Sequence, residues 1–376
     1  MRSFKKIISK REFFDEPRLQ GPGFLWRRMI ILAKSVFHHK CLWHICIFFV
    51  QYISCFANQD NLVVIATKQI YLEKFPDAHN PSIIKTDKGY LCCFRYQPNY
   101  YFYSWISYIG IVELDETFTP VSQPQLLKTR SKNNATPSQS EDARLFCYDG
   151  RRFLIYNDNI EESKPNYFNR RDIFIAELLY SNGHYFLSAP QKLIHEKKYN
   201  LQWQQKNWIP FEYKSMLLFI YTINPHEIIY PNFLNGTCYP YFQSEADIMW
   251  SWGQLRGSSA AVLDEDEYLV FFHSGVQITS KASFGLEMWH YFMGAYTFSA
   301  EPPFHITKIS SIPIIAEGFY TGSNRPKRVI YPGGYVVAES KIYVAYGKDD
   351  CEMWIATLDK QSLKSSLKAV NTSCKD

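Results

Sequence analysis

Glu141-Asp-Ala-Arg-Leu-Phe146 leads through a turn into Arg152-Phe-Leu-Ile-Tyr-Asn-Asp158. The pattern is a polar or small anchor, a turn, and a short aromatic-rich strand that stops on another polar residue. It occurs four more times between Asn80 and Asp350. The other anchors are Asn80-Pro-Ser-Ile-Ile84, Asn207-Trp-Ile-Pro-Phe211, Arg256-Gly-Ser-Ser-Ala-Ala261 and Tyr331-Pro-Gly-Gly-Tyr335. The strands after them read Gly89-Tyr-Leu-Cys-Cys-Phe-Arg95, Met216-Leu-Leu-Phe-Ile-Tyr-Thr-Ile-Asn224, Glu267-Tyr-Leu-Val-Phe-Phe-His-Ser274 and Lys341-Ile-Tyr-Val-Ala-Tyr-Gly-Lys-Asp-Asp350. Anchors recur at irregular intervals of roughly fifty to seventy-five residues, which suits four-stranded units with variable loops better than a tight solenoid. Radial repetition of such units makes a β-propeller.

Composition agrees. Aromatic residues make up 17% of the chain, with 27 Tyr and 28 Phe, and fall mainly in short runs bounded by Gly, Pro, Asn and Asp, which is the signature of a β-protein. Most of these rings are expected to pack between blades. The expected organisation is all-β, a five-bladed β-propeller over residues 62–365 with an amino-terminal basic and apolar extension over 1–61 and a polar tail over 366–376.

The net charge of +5 is concentrated at the amino terminus, where residues 1–40 hold ten Lys and Arg against Glu12, Asp15 and Glu16. The remainder is close to neutral and has no basic stripe, so nucleic acid is not an expected partner. Behind the charges lies the apolar run Leu42–Ala57, interrupted by His44 and Gln51. Its length is short for a membrane span and fits the hydrophobic part of a secretory signal or a short anchor. Residues 42–57 therefore predict membrane association or export, with the propeller outside the cytoplasm. The alternative is a buried amphipathic helix capping a cytoplasmic propeller.

The nine cysteines show no metal-type spacing, and neither a metal nor a cofactor is expected. Cys92 and Cys93 are adjacent in one strand and point to opposite faces. With Cys147 they read as buried small apolar residues, whereas Cys238, Cys351 and Cys374 could pair only if the fold brought them together. Acceptor tripeptides for glycosylation start at Asn134, Asn235 and Asn371. An insertion from Tyr230 to Trp252, rich in aromatics, precedes Arg256; such a loop can stack on sugar rings or pack over the propeller face.

In a propeller, equivalent ends of successive blades meet in one funnel around the axis. Asn80, Arg95, Asp142, Arg144, Asn207, Asn224, Arg256, His273 and Asp350 are expected to share it. Carboxylates and amides pair with sugar hydroxyls, and a few cations hold an anion or a developing negative charge. Read singly, each of these residues could equally be a salt bridge or a turn cap.

Taken in order, Asn80-Pro81 with Arg95, Glu141-Asp-Ala-Arg144, Lys206-Asn207, a strand ending in His273, and Tyr346-Gly-Lys-Asp-Asp350 resemble glycoside hydrolase family 130. The resemblance spans about 62 to 365 and rests on the order of motifs. It implies a five-bladed propeller acting on mannosides by phosphorolysis, by hydrolysis or, in related propellers, by mannosyl transfer. It further implies that Asp142 is the proton donor to the glycosidic oxygen, in some cases through a sugar hydroxyl. Asn80, Arg95, Lys206 and Asp350 would hold the mannosyl unit, Arg144 would belong to the acid motif, and His273 would lie near the incoming nucleophile. An acid beside Arg144 is normally ionised, so burial or Glu141 would have to raise its pKa.

Two departures from the family pattern matter. Ala143 stands where the acid motif usually continues with proline, and Ile223-Asn224 stands where phosphorylases commonly carry a phosphate-gripping His-Arg pair, with His226 displaced. The second departure weakens phosphorolysis and leaves room for a hydrolase or a transferase. Inverting hydrolysis would need a second carboxylate about 6.5 to 9.5 Å away. Asp264-Glu-Asp266 only superficially resembles a nucleotide-sugar motif and reads as solvated charge in a turn. The expected partner is an oligosaccharide or glycan, with phosphate or a nucleotide sugar as co-substrate. A glycan-binding propeller without catalysis is the alternative, and a protein-interaction propeller would show no converging funnel.

Overall fold

The computed structural model describes residues 62–101, 106–129, 138–159, 170–198 and 204–373. The basic leader and the apolar run 42–57 lie outside the described residues, as do Asn134 and Cys374. Among the described residues no helix is long and apolar enough to cross a membrane.

Strand pairing resolves into five successive antiparallel meanders. The first is His79–Thr86, Gly89–Tyr96, Tyr108–Leu114 and Gln125–Leu126. The second is Glu141–Tyr148, Arg151–Asp158 and Asp172–Ser181, with an outer strand in two pieces, His184–Leu187 and Gln191–His195. Ile209–Tyr213, Met216–Thr222, His226–Asn232 and Thr237–Ala246 form the third. In the fourth, an inner strand split into Gln254–Gly257 and Val262–Asp264 precedes Glu267–Thr279, Glu287–Ser299 and Ile306–Ser310. The fifth, Lys327–Val337, Lys341–Lys348 and Glu352–Asp359, takes its outer strand, Val64–Ile70, from the start of the described chain.

Each of the five anchors lies in the inner strand of its meander, and each aromatic-rich strand is the second. Two cavities at opposite ends of the axis make this plain. Asn80, Asp142, Asn207, Arg256 and Tyr331 line a cavity of about 150 Å³. Ile84, Phe146, Phe211, Ala261 and Val336, further along the same five strands, line a second of about 640 Å³. All five inner strands therefore run the same way along one axis, which defines a propeller.

The aromatic residues pack where expected. Phe211 meets Tyr268 at 5.1 Å across the third and fourth meanders, and Phe271 meets Tyr335 at 5.0 Å across the fourth and fifth. Cys92 and Cys93 are buried and free, on opposite faces of their strand in two separate core clusters. Cys147 is exposed, contrary to expectation, because it lies next to the last residue of its strand, Glu141–Tyr148, where the core ends and the second cavity opens.

Two further readings change. The segment read as a polar tail contributes strand Leu367–Ala369, paired with Ile306–Ser310, and strand Thr372–Ser373, paired with Glu245–Ala246. Before it runs a short helix, Lys360–Ser366, capped by the Asp359 carboxylate accepting from the Ser362 amide at 2.7 Å. Asp264 is not solvated charge. It sits under this helix with Lys364 Nζ at 2.8 Å, and although burial raises its carboxyl, the two lysines Lys360 and Lys364 hold it below the ordinary range.

Candidate active site

Three inner strands open in the same unusual way. Asn80, Asp142 and Asn207 have φ of 49°, 51° and 67°, a left-handed conformation that short polar side chains tolerate better than most. At the first two, the pairing skips residues, from His79 to Ser82 and from Glu141 to Arg144. Such a bulge breaks the alternation of faces and re-aims a side chain, here into the axial cavity. Antiparallel pairing then sets the end of the second strand beside the start of the first, His79 opposite Arg95 and Arg256 opposite His273. For this reason the polar ends of second strands also reach the axis.

Of the ten residues expected at the site, Asn80, Arg95, Asp142, Lys206, Asn207, Arg256, His273 and Asp350 line the cavity. Two do not. Arg144 is fully buried, with its guanidinium against the Tyr331 side chain. Its charge acts on Tyr331 and His273 from within the core. The bulge at Asp142 explains this placement, because it turns the next strand residues away from the axial opening. Asn224 lines a neighbouring groove, since its second strand ends at Thr222 and the chain has already turned outward. Tyr291, Lys327, Val329 and Tyr331 complete the cavity wall. Tyr331 was legible as an anchor. Nothing local marks Tyr291 and Lys327, which are brought in by the parallel pairing of Trp289–Tyr291 with Lys327–Val329.

At the centre is a carboxylate pair held by cations. Asp142 Oδ1 accepts from Asn80 Nδ2 at 2.8 Å and from Arg95 Nη1 at 3.2 Å. Glu141 Oε1 accepts from Arg171 Nη2 at 2.9 Å and from Arg95 Nη2 at 3.3 Å, while Lys206 Nζ donates to Oε2 at 2.7 Å. Arg95 is itself fixed by donating from Nε to Ser107 Oγ at 2.9 Å. Glu141 and Arg171, absent from the expected set, are the supports that orient Arg95 and Lys206.

Electrostatics differ from the sequence expectation. Burial pushes the Asp142 carboxyl up and Glu141 adds to that, but Arg95, Lys206 and the Asn80 amide outweigh them and hold it below its ordinary value. Glu141, despite burial, is held well below the carboxylate range by Lys206, Arg95 and Arg171. The cation beside Asp142 is Arg95 rather than Arg144. In the free protein Asp142 is thus a carboxylate at neutral pH. Burial, aided by the Arg256 charge, pushes His273 down to about 3, so its ring is neutral, with Nδ1 2.6 Å from Ser258 Oγ. On the far side, Lys327 Nζ lies 3.9 Å from Asp350 Oδ2. The cavity therefore combines two carboxylates, an amide pair, several cations and a neutral imidazole around a space suited to one sugar ring.

No protein-family model matches the sequence, and no curated protein matches it. Solved structures do resemble the fold. A glycosyl hydrolase from Bacteroides ovatus matches at a TM-score of 0.55 with 12% identity, over 81% of this chain and 93% of its own. The β-1,2-mannobiose phosphorylase of Listeria innocua, seen with β-1,2-mannobiose, gives 0.53 with 13% identity, over 82% and 97%. A structure described with the family 130 glycoside hydrolases that target β-1,2 mannosidic linkages in Candida mannan gives 0.54 with 12% identity, over 81% and 93%. The chain has a fold like that of glycoside hydrolase family 130 structures.

Proposed function

We propose that the protein makes or breaks mannosidic, or closely similar glycosidic, bonds at the axial cavity, with Asp142 as the proton donor. The observation that carries this reading is the placement of Asp142 on a left-handed bulge, gripped by Asn80 and Arg95, in a cavity lined by amides, carboxylates and cations. Asn80, Arg95, Asn207 and Asp350 hold the sugar hydroxyls; Lys206, Arg256 and Lys327 supply positive charge for an anionic second substrate or a developing oxyanion. Because Asp142 is ionised in the free protein, its proton has to arrive with the substrate or pass through a sugar hydroxyl bonded to it. Asp350 is the candidate base if water is the nucleophile. The chain's export or membrane association through residues 42–57 belongs to the same proposal.

The low proton affinity of Asp142 favours one second reading, a glycan-binding propeller without catalysis. Asp142→Asn separates the two. An enzyme loses turnover by at least about a hundredfold while glycan affinity survives; a binding protein has no turnover to lose. Incubation with mannose 1-phosphate, a nucleotide-linked mannose and short mannosides identifies the reaction. Phosphate released from the first supports a phosphorylase, transfer only from the second a transferase, and free sugar from the third a hydrolase.

A further inference from the structure

The aromatic insertion from Tyr230 to Trp252 holds the sequence Phe233-Leu-Asn-Gly-Thr237, and the fold makes it a hairpin turn. It joins strands His226–Asn232 and Thr237–Ala246 of the third meander. The inner strand of that meander runs from Asn207 at the axial cavity to Phe211 at the second cavity, so this turn, two strand reversals later, lies at the end opposite the axial cavity. Three contacts pin it. The Leu234 amide donates to Asn232 Oδ1 at 2.9 Å, the Gly236 amide to the Asn232 carbonyl at 2.8 Å, and Gln191 Nε2 to the Phe233 carbonyl at 2.6 Å. Gly236, with φ of 78°, admits no side chain, since a Cβ there would meet the Lys192 carbonyl oxygen at 2.1 Å. Asn235 is exposed, and its Oδ1 accepts from the Thr237 amide at 2.9 Å, an Asx-turn that leaves Nδ2 without a partner among the described residues. Glycosylation joins a sugar to that nitrogen and calls for a Ser or Thr two residues on. Two residues before it, Phe233 is 46% exposed, next to Leu234 at 96%. An open ring at that spacing across a tight turn offers the apolar face of an attached sugar a surface to cover. The tripeptide at Asn371 lacks this geometry. Its Asn371 carbonyl accepts from the Asp247 amide at 3.1 Å, and Thr372–Ser373 is drawn into pairing with Glu245–Ala246.

We propose that Asn235 is a site of N-linked glycosylation, with the first sugar of the glycan seated on the Phe233 ring. The donor is an oligosaccharide carried on a lipid pyrophosphate. Nδ2 forms the bond to the anomeric carbon, the bond from that carbon to the pyrophosphate oxygen breaks, and Nδ2 gives up one proton. The modification rests on export of the chain through residues 42–57 and is independent of the chemistry at Asp142, which lines the cavity at the other end of the axis. Synthesis of the full chain in the presence of eukaryotic microsomes tests it. Protease protection reports export, and peptide mass spectrometry after enzymatic deglycosylation, which converts a glycosylated Asn to Asp, reports the site. In protected chains residue 235 is expected to read as aspartate. Asn235→Gln and Thr237→Ala should each abolish the glycan at this turn, Thr237→Ser should keep it, and Phe233→Ala should lower the modified fraction. Protected chains with Asn235 unmodified would overturn the site and leave the export reading standing. A modified fraction unmoved in Phe233→Ala would overturn the seat on the ring. Complete digestion of the chain by the protease would overturn export, and the modification with it.

Discussion

Asp142 is held as a carboxylate by the groups that would bind its substrate. Burial favours its neutral form, but the Arg95 guanidinium at 3.2 Å and the Asn80 amide at 2.8 Å favour the charged one, and the charged form wins. A proton donor with a depressed pKa is protonated in a fraction that shrinks tenfold for each pH unit above that pKa. With Asp142 as donor, kcat/KM, which reports the free enzyme, should therefore fall as pH rises from about 5 to 8. Arg95→Gln removes the largest opposing charge, so its descending limb should move to higher pH even as affinity weakens. A profile that is flat over this range would instead fit Asp142 as a base, already ionised throughout it. The identity of Asp142 and its polar neighbours was readable from the chain, because strand ends and anchors are local features. The sign of its pKa was not. It depends on Arg95, 47 residues away, displacing Arg144 as the adjacent cation.

At the scale of elements, the inner strands approach so closely that a few positions admit no side chain. A Cβ on Gly347, in the second strand of the fifth meander, would lie 2.0 Å from Asn80 Oδ1 and 2.6 Å from the Asn80 amide nitrogen. Neither group can retreat far, since Asn80 is fixed by its bond to Asp142. Gly347→Ala should therefore cost about 1–3 kcal/mol of stability, together with a loss of turnover larger than that alone explains. Denaturant midpoints measured alongside kcat separate the two effects. The glycine was visible in Tyr346-Gly-Lys-Asp-Asp350, but its reason was not, because the clash is with a strand more than 260 residues earlier. The strand cores themselves were legible. Aromatic runs bounded by polar residues fixed the second strand of every meander, and it was the bulges, which break the alternation, that defeated any assignment of which side chains point inward.

At the scale of the whole molecule, the propeller encloses neutral histidines. Burial lowers His79, lowers His226 to about 4 and lowers His273 to about 3. Above pH about 6.5 these groups are neutral in both the folded and unfolded chains and contribute nothing. Below it the unfolded chain takes up protons that the folded one refuses, so stability must fall with pH, at most by about 1.4 kcal/mol per unit for each histidine. Urea midpoints at pH 7.5 and 5.0 should show the decline; His273→Gln should lessen it, and equal midpoints would contradict buried neutral rings. By itself, the sequence determined the all-β class, the fivefold repetition, the position of each second strand and eight of the cavity-lining residues. All but Lys206, which was implied by the resemblance to glycoside hydrolase family 130, follow from patterns within a few residues, since strand periodicity and polar termination are local. Only the tertiary structure decided that Val64–Ile70 completes the last meander, that Glu141 and Arg171 support the site, that Arg144 and Asn224 leave it, and that Tyr291 and Lys327 join it. Those outcomes depend on which distant segments the ring brings to one axis, and bulges and close backbone contacts fix that geometry only after the meanders have packed.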